Sequence, residues 1–413
     1  MKIGPEGNYF SDYGPYLTAH YRTAWGNAIN FDGAYSYGVR NYFLENALYW
    51  FENYHIDALR LDASDHIYDI GVTHFLQELA EKVDDLSQKL GRKLYLTAEN
   101  DLSDTKIIRP RESGGYGIDA QWNDAFHHCL HTLLTGEKTG YYVDYGTCEQ
   151  MAKAFKEGFV YSGQYSPFRK KFHGSNSSAI SGHQFVVFTQ NHDQVGNRML
   201  GERLSHIVSF EALKLAAGVL LLAPNIPLIF MGEEYAEDAP FLYFVSHTDP
   251  DLIVAVEEGR KKDFAEFHLE GEFIDPFSPD TFKKCQLNWG KRQEGKHKVM
   301  LELYQYLIRL RRTIPALKQL DKQNLETSVV ENDKLLFLRR GSQESQIFCI
   351  MNFNERDVTF QASPDGIWHK ILDSSDSQWM GSGSTMPEQL IRDREMTISS
   401  HSFALYGLEM LAQ

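Results

Sequence analysis

The sequence predicts an α/β fold, with a parallel sheet covered by helices and a smaller antiparallel β-sandwich domain after it. Three observations predict it. Short apolar runs alternate with amphipathic helical stretches along most of the chain. After "YQYLIRLRRTIPAL" the texture changes to short strands separated by turns. Three of the earlier apolar runs also end in polar, carboxylate-bearing residues, as expected where functional groups gather at strand C-terminal ends.

The elements follow in order. The opening "MKIGPEGNYF" reads as the inside of a loop, because Gly4, Pro5, Gly7 and Asn8 are turn residues. In "SYGVRNYFLENALYWFENY", Val39, Phe43, Leu44, Ala47, Leu48 and Phe51 recur at helical spacing. "HIDALRLDAS" is apolar and short enough for a strand. "VTHFLQELAEKVDDLSQKLG" is a helix closed by Gly91. "RKLYLTAEN" is strand-like, and "AQWNDAFHHCLHTLLTGE" reads as a helix or a helix entrance. "HQFVVFTQNHDQ" is a strand, Glu211 to Leu222 is helical, and "NIPLIFMGEEYA" is a further strand. "TSVVENDKLLFLRRG", "SQIFCIMNFN", "DVTFQA" and "MTISSHSFALYGL" then give an all-β domain. The expected division is 1–322 and 323–413, with Ser374 to Thr385, rich in Ser and Gly, as a surface loop.

Composition narrows the function. The 413 residues suffice for a large core and two domains. A net charge of -15 argues against binding nucleic acid through its phosphates and against adhering to an anionic membrane surface. It suits an uncharged substrate. The 22 Tyr, 26 Phe and 6 Trp include rings that could stack on sugar faces, although most belong to the core. Cys129, Cys148, Cys285 and Cys349 are scattered with no C-x-x-C pair, which points to reduced thiols and a cytoplasmic location. The first ten residues are too polar for a secretory signal. The most apolar run, "LKLAAGVLLLAPNIPLIFMG", is broken by Pro224, Asn225 and Pro227, so it is a buried helix, a turn and a strand rather than a membrane span.

In "DALRLDAS", Arg60 and Asp62 are two apart and share a strand face, while Leu59 and Leu61 face the other way. Two readings stand: a structural ion pair, or a carboxylate held ionised by its arginine. "LYLTAEN" repeats the pattern with Glu99 at its end, and "FVVFTQNHDQ" ends in Asn191, His192 and Asp193. Three such endings in succession favour a site. Two carboxyl groups plus a third, without metal-ligand spacing, suit glycoside hydrolysis, in which one carboxylate attacks the anomeric carbon and one carboxylic acid protonates the leaving oxygen. That acid must stay protonated near neutral pH, through burial or a neighbouring negative charge. His127, His128, Cys129 and His131 cluster on a helical stretch; zinc is one reading, and a helix face beside the site is the better one. Glu233 and Glu234 either touch substrate or sit on a solvated loop end.

"LRLDAS", "LTAEN" and "FTQNHDQ" resemble the three later signatures of the alpha-amylase superfamily of glycoside hydrolases. "AQWNDAFHHCLHTLLTGEKTGYYVDY", "QNHDQVGNRMLGERL", "PLIFMGEEYAEDAPFLYFVSH" and "GRKKDFAEF" are similar to its maltooligosyltrehalose trehalohydrolases. The resemblance implies a retaining glycosidase that cuts the alpha-1,4 bond next to the terminal trehalose of a trehalose-capped malto-oligosaccharide and releases trehalose. It implies Asp62 as nucleophile, Glu99 as general acid/base, and Asp193 as the third carboxylate on the sugar hydroxyls. Arg60 would hold Asp62 ionised, His192 would hydrogen-bond the sugar, and Trp122, Asn123 and Asp124 match the glucan-contacting segment. No metal or organic cofactor is implied. The resemblance also implies a (β/α)8 TIM barrel of which this chain holds strands four to eight, because "MK" stands where an earlier signature ends in Asn-His. Another alpha-glucan-active enzyme (a branching enzyme or an amylase) and a non-catalytic glucan-binding fragment are the alternatives.

Overall fold

The computed structural model describes residues 9–23, 25–266, 274–362, 364–390 and 392–409. The turn residues Gly4 to Asn8 lie outside them, as does the end of "GRKKDFAEF". Strands β1 (Leu17–Thr23) and β2 (Gly26–Ile29) form an antiparallel hairpin. They are followed by the helix Ser36–Asn53, then β3 (Ala58–Leu61), the helix Phe75–Leu90 and β4 (Tyr95–Ala98). Gly91 closes the second of these helices in the left-handed region, at φ 63. Next come β5 (Ala120–Trp122) and the helix Asp124–Thr135, then a small hairpin of β6 (Gln164–Ser166) and β7 (Lys171–His173). Last in this unit are β8 (Phe185–Val187), the helix Phe210–Leu222 and β9 (Ile226–Pro227).

The five strands β3-β4-β5-β8-β9 pair in parallel in that order, the arrangement of part of a (β/α)8 barrel. Alternation along each strand sorts the two faces. Leu59 and Leu61 of β3, and Leu96 and Ala98 of β4, pack outward into the core shared with the helices. Tyr95, Thr97 and Ala120 face the concave side and line a cavity of about 770 Å³ at the strands' N-terminal ends, together with Ala58, Gln184 and Ile226. Nearer the C-terminal ends, Trp122, Val186 and Phe188 fill that side. Among the described residues, β3 and β9 each have a strand neighbour on one side only.

Two sequence expectations need correction here. "AQWNDAFHHCLHTLLTGE" is not helical throughout: Ala120–Trp122 is a sheet strand, too short for its period to show, and the helix starts at Asp124. "NIPLIFMGEEYA" contributes only Ile226–Pro227 to the sheet, with the Leu228 N–H still donating to Val187 O at 2.8 Å.

The helix Phe210–Leu222 explains the apolar run: its residues from Leu215 to Leu222 are all buried. It ends at Ala223 and Pro224 without a capping glycine, so its last carbonyls need donors from elsewhere. Arg311, on the helix Gly295–Thr313, gives Nη1 to Leu221 O at 2.8 Å and to Ala223 O at 2.7 Å. Arg340 gives Nη1 to Leu222 O at 2.8 Å.

Arg340 belongs to the all-β part. Its six-stranded antiparallel sheet runs β10 (Leu325–Val330), β11 (Leu335–Ser342), β12 (Ser345–Asn352), then β17 (Ser402–Leu408), β14 (Trp368–Asp373) and β15 (Gln389–Leu390). Strands β13 (Val358–Gln361) and β16 (Glu395–Ile398) pair as a second, small sheet. Both faces of the large sheet are covered. Leu335, Phe337, Phe348, Ile350, Ala404 and Tyr406 meet Val358, Met396 and Ile398. Their neighbours Leu336, Leu338, Cys349, Met351, Phe403 and Leu405 join the core of the helices. The expected surface loop after β14 is partly internal: Ser374 and Ser375 are buried, and the buried Lys214 ammonium donates to Ser374 O at 2.7 Å. No helix among the described residues is long and apolar enough to cross a membrane.

Candidate active site

The C-terminal ends of β3, β4, β5 and β8 lie side by side, and they carry the polar endings picked out in the sequence. Arg60 is central. Its Nη1 donates to Asp62 Oδ1 at 2.6 Å. Its Nη2 lies 3.8 Å from Glu99 Oε2 and 3.9 Å from Asp193 Oδ2. Its guanidinium sits 4.1 Å from the centre of the Trp122 ring, a cation–π contact that keeps the fork in one plane. One cation therefore faces three carboxylates from three strand ends. Nε and Nη2 of Arg60 are buried, yet find no hydrogen-bond acceptor among the described residues.

The turn after β3 shapes the site. Ala63 adopts φ 45 and ψ 47, a left-handed conformation unusual for a residue with a Cβ. This turn aims the Ala63 N–H at Glu99 Oε2, 2.5 Å away. Ser64 continues the link, donating N and Oγ to Glu99 O at 3.0 and 2.7 Å. Glu99 is thus tied to β3 by side chain and backbone together. Burial raises its pKa above the usual carboxylate value, and the charges of Asp62 and Asp193 add to this; the Ala63 N–H and Arg60 oppose it. The Asp62 side chain is 68% exposed against 22% for Glu99, so the two carboxyl groups occupy different environments.

Asp193 stands in the first turn of the short helix His192–Gly196. Asn191 caps that helix, accepting from the Asp193 N–H at 2.8 Å, and Gln194 returns the bond to the Asn191 N–H at 3.0 Å. Gln194 Nε2 also donates to Asp124 Oδ1 at 3.1 Å. The His192 ring is half-exposed, with Nε2 3.4 Å from Asp193 Oδ2 and its edge towards Trp122. Asp124 opens the helix after β5. Burial, followed by the charges of Asp101, Glu99 and Asp193, pushes its carboxyl up to about 8.

The structure therefore gathers Arg60, Asp62, Glu99, Trp122, His192 and Asp193 at one place, with Asp124 beside them. Asn123 differs: it is 1% exposed, and its Nδ2 is given to Gly158 O at 2.9 Å, so it braces the backbone beneath the site. Glu233 lies after β9 and is only partly exposed, and Thr189, Tyr304 and the Phe230 N–H all donate to its carboxylate, so that group is engaged by the protein itself. Two of the three histidines of the helix Asp124–Thr135 are spent on hydrogen bonds to protein partners, while His128 stacks on Tyr141. His127 bonds Thr189 O and Tyr142, and His131 bonds Glu137 at 2.7 Å. Sequence reasoning missed the Ala63 N–H, which no pattern signals. It also passed over Gln194, which the Asn-x-x-Gln capping spacing does signal.

Comparison with known proteins agrees with this architecture. The family model "Alpha amylase, C-terminal all-beta domain" matches residues 327–407. The malto-oligosyltrehalose trehalohydrolase of Rhizobium sp. (strain M-11) is 40% identical over 360 residues, covering 86% of this chain and 60% of that protein. The malto-oligosyltrehalose trehalohydrolase of Saccharolobus solfataricus is 44% identical over 310 residues, covering 75% of this chain and 52% of that one. A candidate alpha amylase from Salmonella typhimurium, known from a crystal structure, superposes with a TM-score of 0.84 at 32% identity, over 98% of this chain and 66% of that chain. The chain spans between half and two thirds of the length of these relatives.

Proposed function

Because the chain belongs to the alpha-amylase superfamily and groups there with the malto-oligosyltrehalose trehalohydrolases, we propose that it hydrolyses the alpha-1,4 bond next to the terminal trehalose of a malto-oligosyltrehalose and releases trehalose. The observation that carries this reading is the unequal treatment of two carboxyl groups around one arginine. Asp62 is exposed at the cleft and ion-paired to Arg60 at 2.6 Å, as a nucleophile requires. Glu99 is set deeper, with its pKa raised by burial, as a proton donor requires.

In this mechanism Glu99 protonates the glycosidic oxygen as Asp62 attacks the anomeric carbon from the opposite face of the ring. This forms a glycosyl-enzyme ester and frees one product. Glu99, now ionised, takes a proton from water, and the hydroxide equivalent opens the ester with net retention. Asp193 and His192 hold hydroxyls of the sugar ring at the cleaved bond. The unpartnered N–H groups of Arg60 supply donors for an oxygen brought in with substrate, which would complete a buried cation otherwise short of acceptors. Trp122 and Asp124 form the wall beside it. No step calls for a metal or an organic cofactor. Cys129, Cys148, Cys285 and Cys349 are all buried free thiols, consistent with a cytoplasmic setting, and the malto-oligosyltrehalose trehalohydrolase relatives support a place in trehalose biosynthesis.

The test is incubation of the purified chain with maltotriosyltrehalose, following free trehalose by chromatography, with Asp62→Asn as control. Trehalose released by the chain and reduced at least about a thousandfold in the variant is the expected result. Maltose or newly branched glucan instead would move the chain to an amylase or branching activity. Binding of the oligosaccharide without turnover would leave a glucan-binding protein.

A further inference from the structure

The Asp193 carboxylate is held loosely. Its charged neighbours are at some distance, Arg60 Nη2 at 3.9 Å and His192 Nε2 at 3.4 Å, and the side chain is 49% exposed. The backbone must therefore set its position. That backbone leaves β8 through Thr189, which is 1% exposed and gripped on two sides.

On one side the Thr189 carbonyl meets His127 Nδ1 at 2.6 Å. A carbonyl only accepts, so Nδ1 carries the hydrogen and Nε2 must accept, taking the Tyr142 hydroxyl at 2.9 Å. Burial and the neighbouring His131 press the His127 pKa down to about 3, which keeps this tautomer neutral at working pH. On the other side Thr189 Oγ1 donates to Glu233 Oε1 at 2.6 Å. The same oxygen receives Tyr304 Oη at 2.7 Å, from the helix Gly295–Thr313, and Oε2 receives the Phe230 N–H at 3.1 Å. Glu233 thus ties the end of β8 to the segment after β9 and to an outer helix. The capping pair Asn191 and Gln194 carries this placement forward to Asp193.

We propose that Glu233 and His127 are positioning residues that clamp Thr189 from two sides and thereby fix Asp193 opposite Arg60. Neither touches substrate. The inference rests on the glycosidase reading for its effect on rate, but the clamp itself can be tested without turnover.

The experiment is a double-mutant cycle on the whole chain. Glu233→Leu removes the acceptor for both hydroxyls, and Glu233→Gln keeps one oxygen, which both hydroxyls can share. Glu233→Leu should lower kcat for trehalose release from maltotriosyltrehalose about tenfold or more, with KM changed less than about threefold, because displacing a positioned group by a fraction of an ångström is felt mainly in the transition state. Glu233→Gln should recover most of that loss. In an Asp193→Asn background the Leu substitution should cost less than about twofold, since the residue it positions is already disabled. Equal factors in both backgrounds, or a Gln variant no better than Leu, would overturn the proposal. The second readout is amide hydrogen exchange of Asp193, whose N–H donates to Asn191 Oδ1. It should exchange about tenfold faster in Glu233→Leu, with β11 and β12 unchanged; equal exchange refutes the clamp whatever the activity. If Glu233→Leu does not fold, Thr189→Val deletes only the hydroxyl donor and is held to the same outcomes. Absence of trehalose release by the unaltered chain would overturn the glycosidase reading alone, and exchange would then decide the clamp.

Discussion

Replacing Asp124 with asparagine should stabilise the fold by an amount that grows with pH. The carboxyl opens the helix Asp124–Thr135 and is pushed from 3.8 to about 8, by burial first and then by the charges of Asp101, Glu99 and Asp193. In the unfolded chain it ionises near 4. Between about pH 4 and pH 8 the folded state therefore holds one proton more than the unfolded state. Under that condition stability falls as pH rises, by about 1.4 kcal/mol per unit, and levels off above the folded pKa. This is opposite in sign to the usual ion-paired aspartate, whose stabilising effect is lost on acidification. Asparagine carries no charge and keeps an Oδ1 acceptor for Gln194, so it escapes the slope. It forgoes the attraction of a carboxylate to a helix N-terminus, about 0.3–1 kcal/mol, which is the smaller effect and is in any case unavailable while the acid is protonated. From pH 5.5 to pH 8.5 the stability gap between variant and parent should widen by about 3 kcal/mol. Urea unfolding of both proteins at the two pH values measures it. A gap that stays constant, or narrows with rising pH, would refute the assignment of Asp124 as a neutral acid in the folded protein.

Two further predictions concern the contact between the helices and the all-β part. Arg340→Met should lower stability by about 2–4 kcal/mol in urea unfolding: it strips the donors from Leu222 O, Leu317 O and Gln319 O, of which Leu222 and Leu317 are buried, and only part of that cost is recovered by no longer burying a charge. Gly218→Ala should cost about 1–3 kcal/mol, because its new Cβ would meet Phe403 Cε1 at 2.6 Å, well inside contact distance; an unchanged melting temperature would mean that the ring can move aside.

Much of the architecture was legible because it rests on local period. Leu59, Arg60 and Leu61 alternate, and that alternation alone puts Arg60 on the concave side of β3 and the leucines in the outer core. The helix Phe75–Leu90 showed its stripe and its closing Gly91. Where an element was too short to show a period, it was lost or overdrawn: β5 has three residues, and β9 has two. Strand β14, with Trp368 and Leu372 buried, was not picked out beside its Gly-rich flank. The helix Cys148–Glu157 was also passed over, although Thr147 and Gln150 announce it with a capping box.

The site divides in the same way. That Glu99 and Asp193 stand at strand ends follows from their neighbours in the chain. What each carboxyl is able to do follows from partners dozens of residues away. Glu99 and Asp124 succeed adjacent strands, and in the sequence they look equivalent. In the fold both lose water, yet Glu99 keeps the Ala63 N–H and the Arg60 charge to offset that loss, whereas Asp124 has the Gln194 amide and faces three carboxylates. Both carboxyl groups are pushed up, but only for Asp124 does the shift reach about 8, which holds it protonated at neutral pH. Glu233 makes the same point in reverse. Its position after the last strand suggested a substrate contact or a solvated loop end. Thr189 and Tyr304, 44 and 71 residues away in the chain, turn its carboxylate into a brace between elements. Spacing along a strand can place a carboxyl group, but its proton affinity is an energy summed over everything packed around it, and that sum exists only once the sheet has assembled.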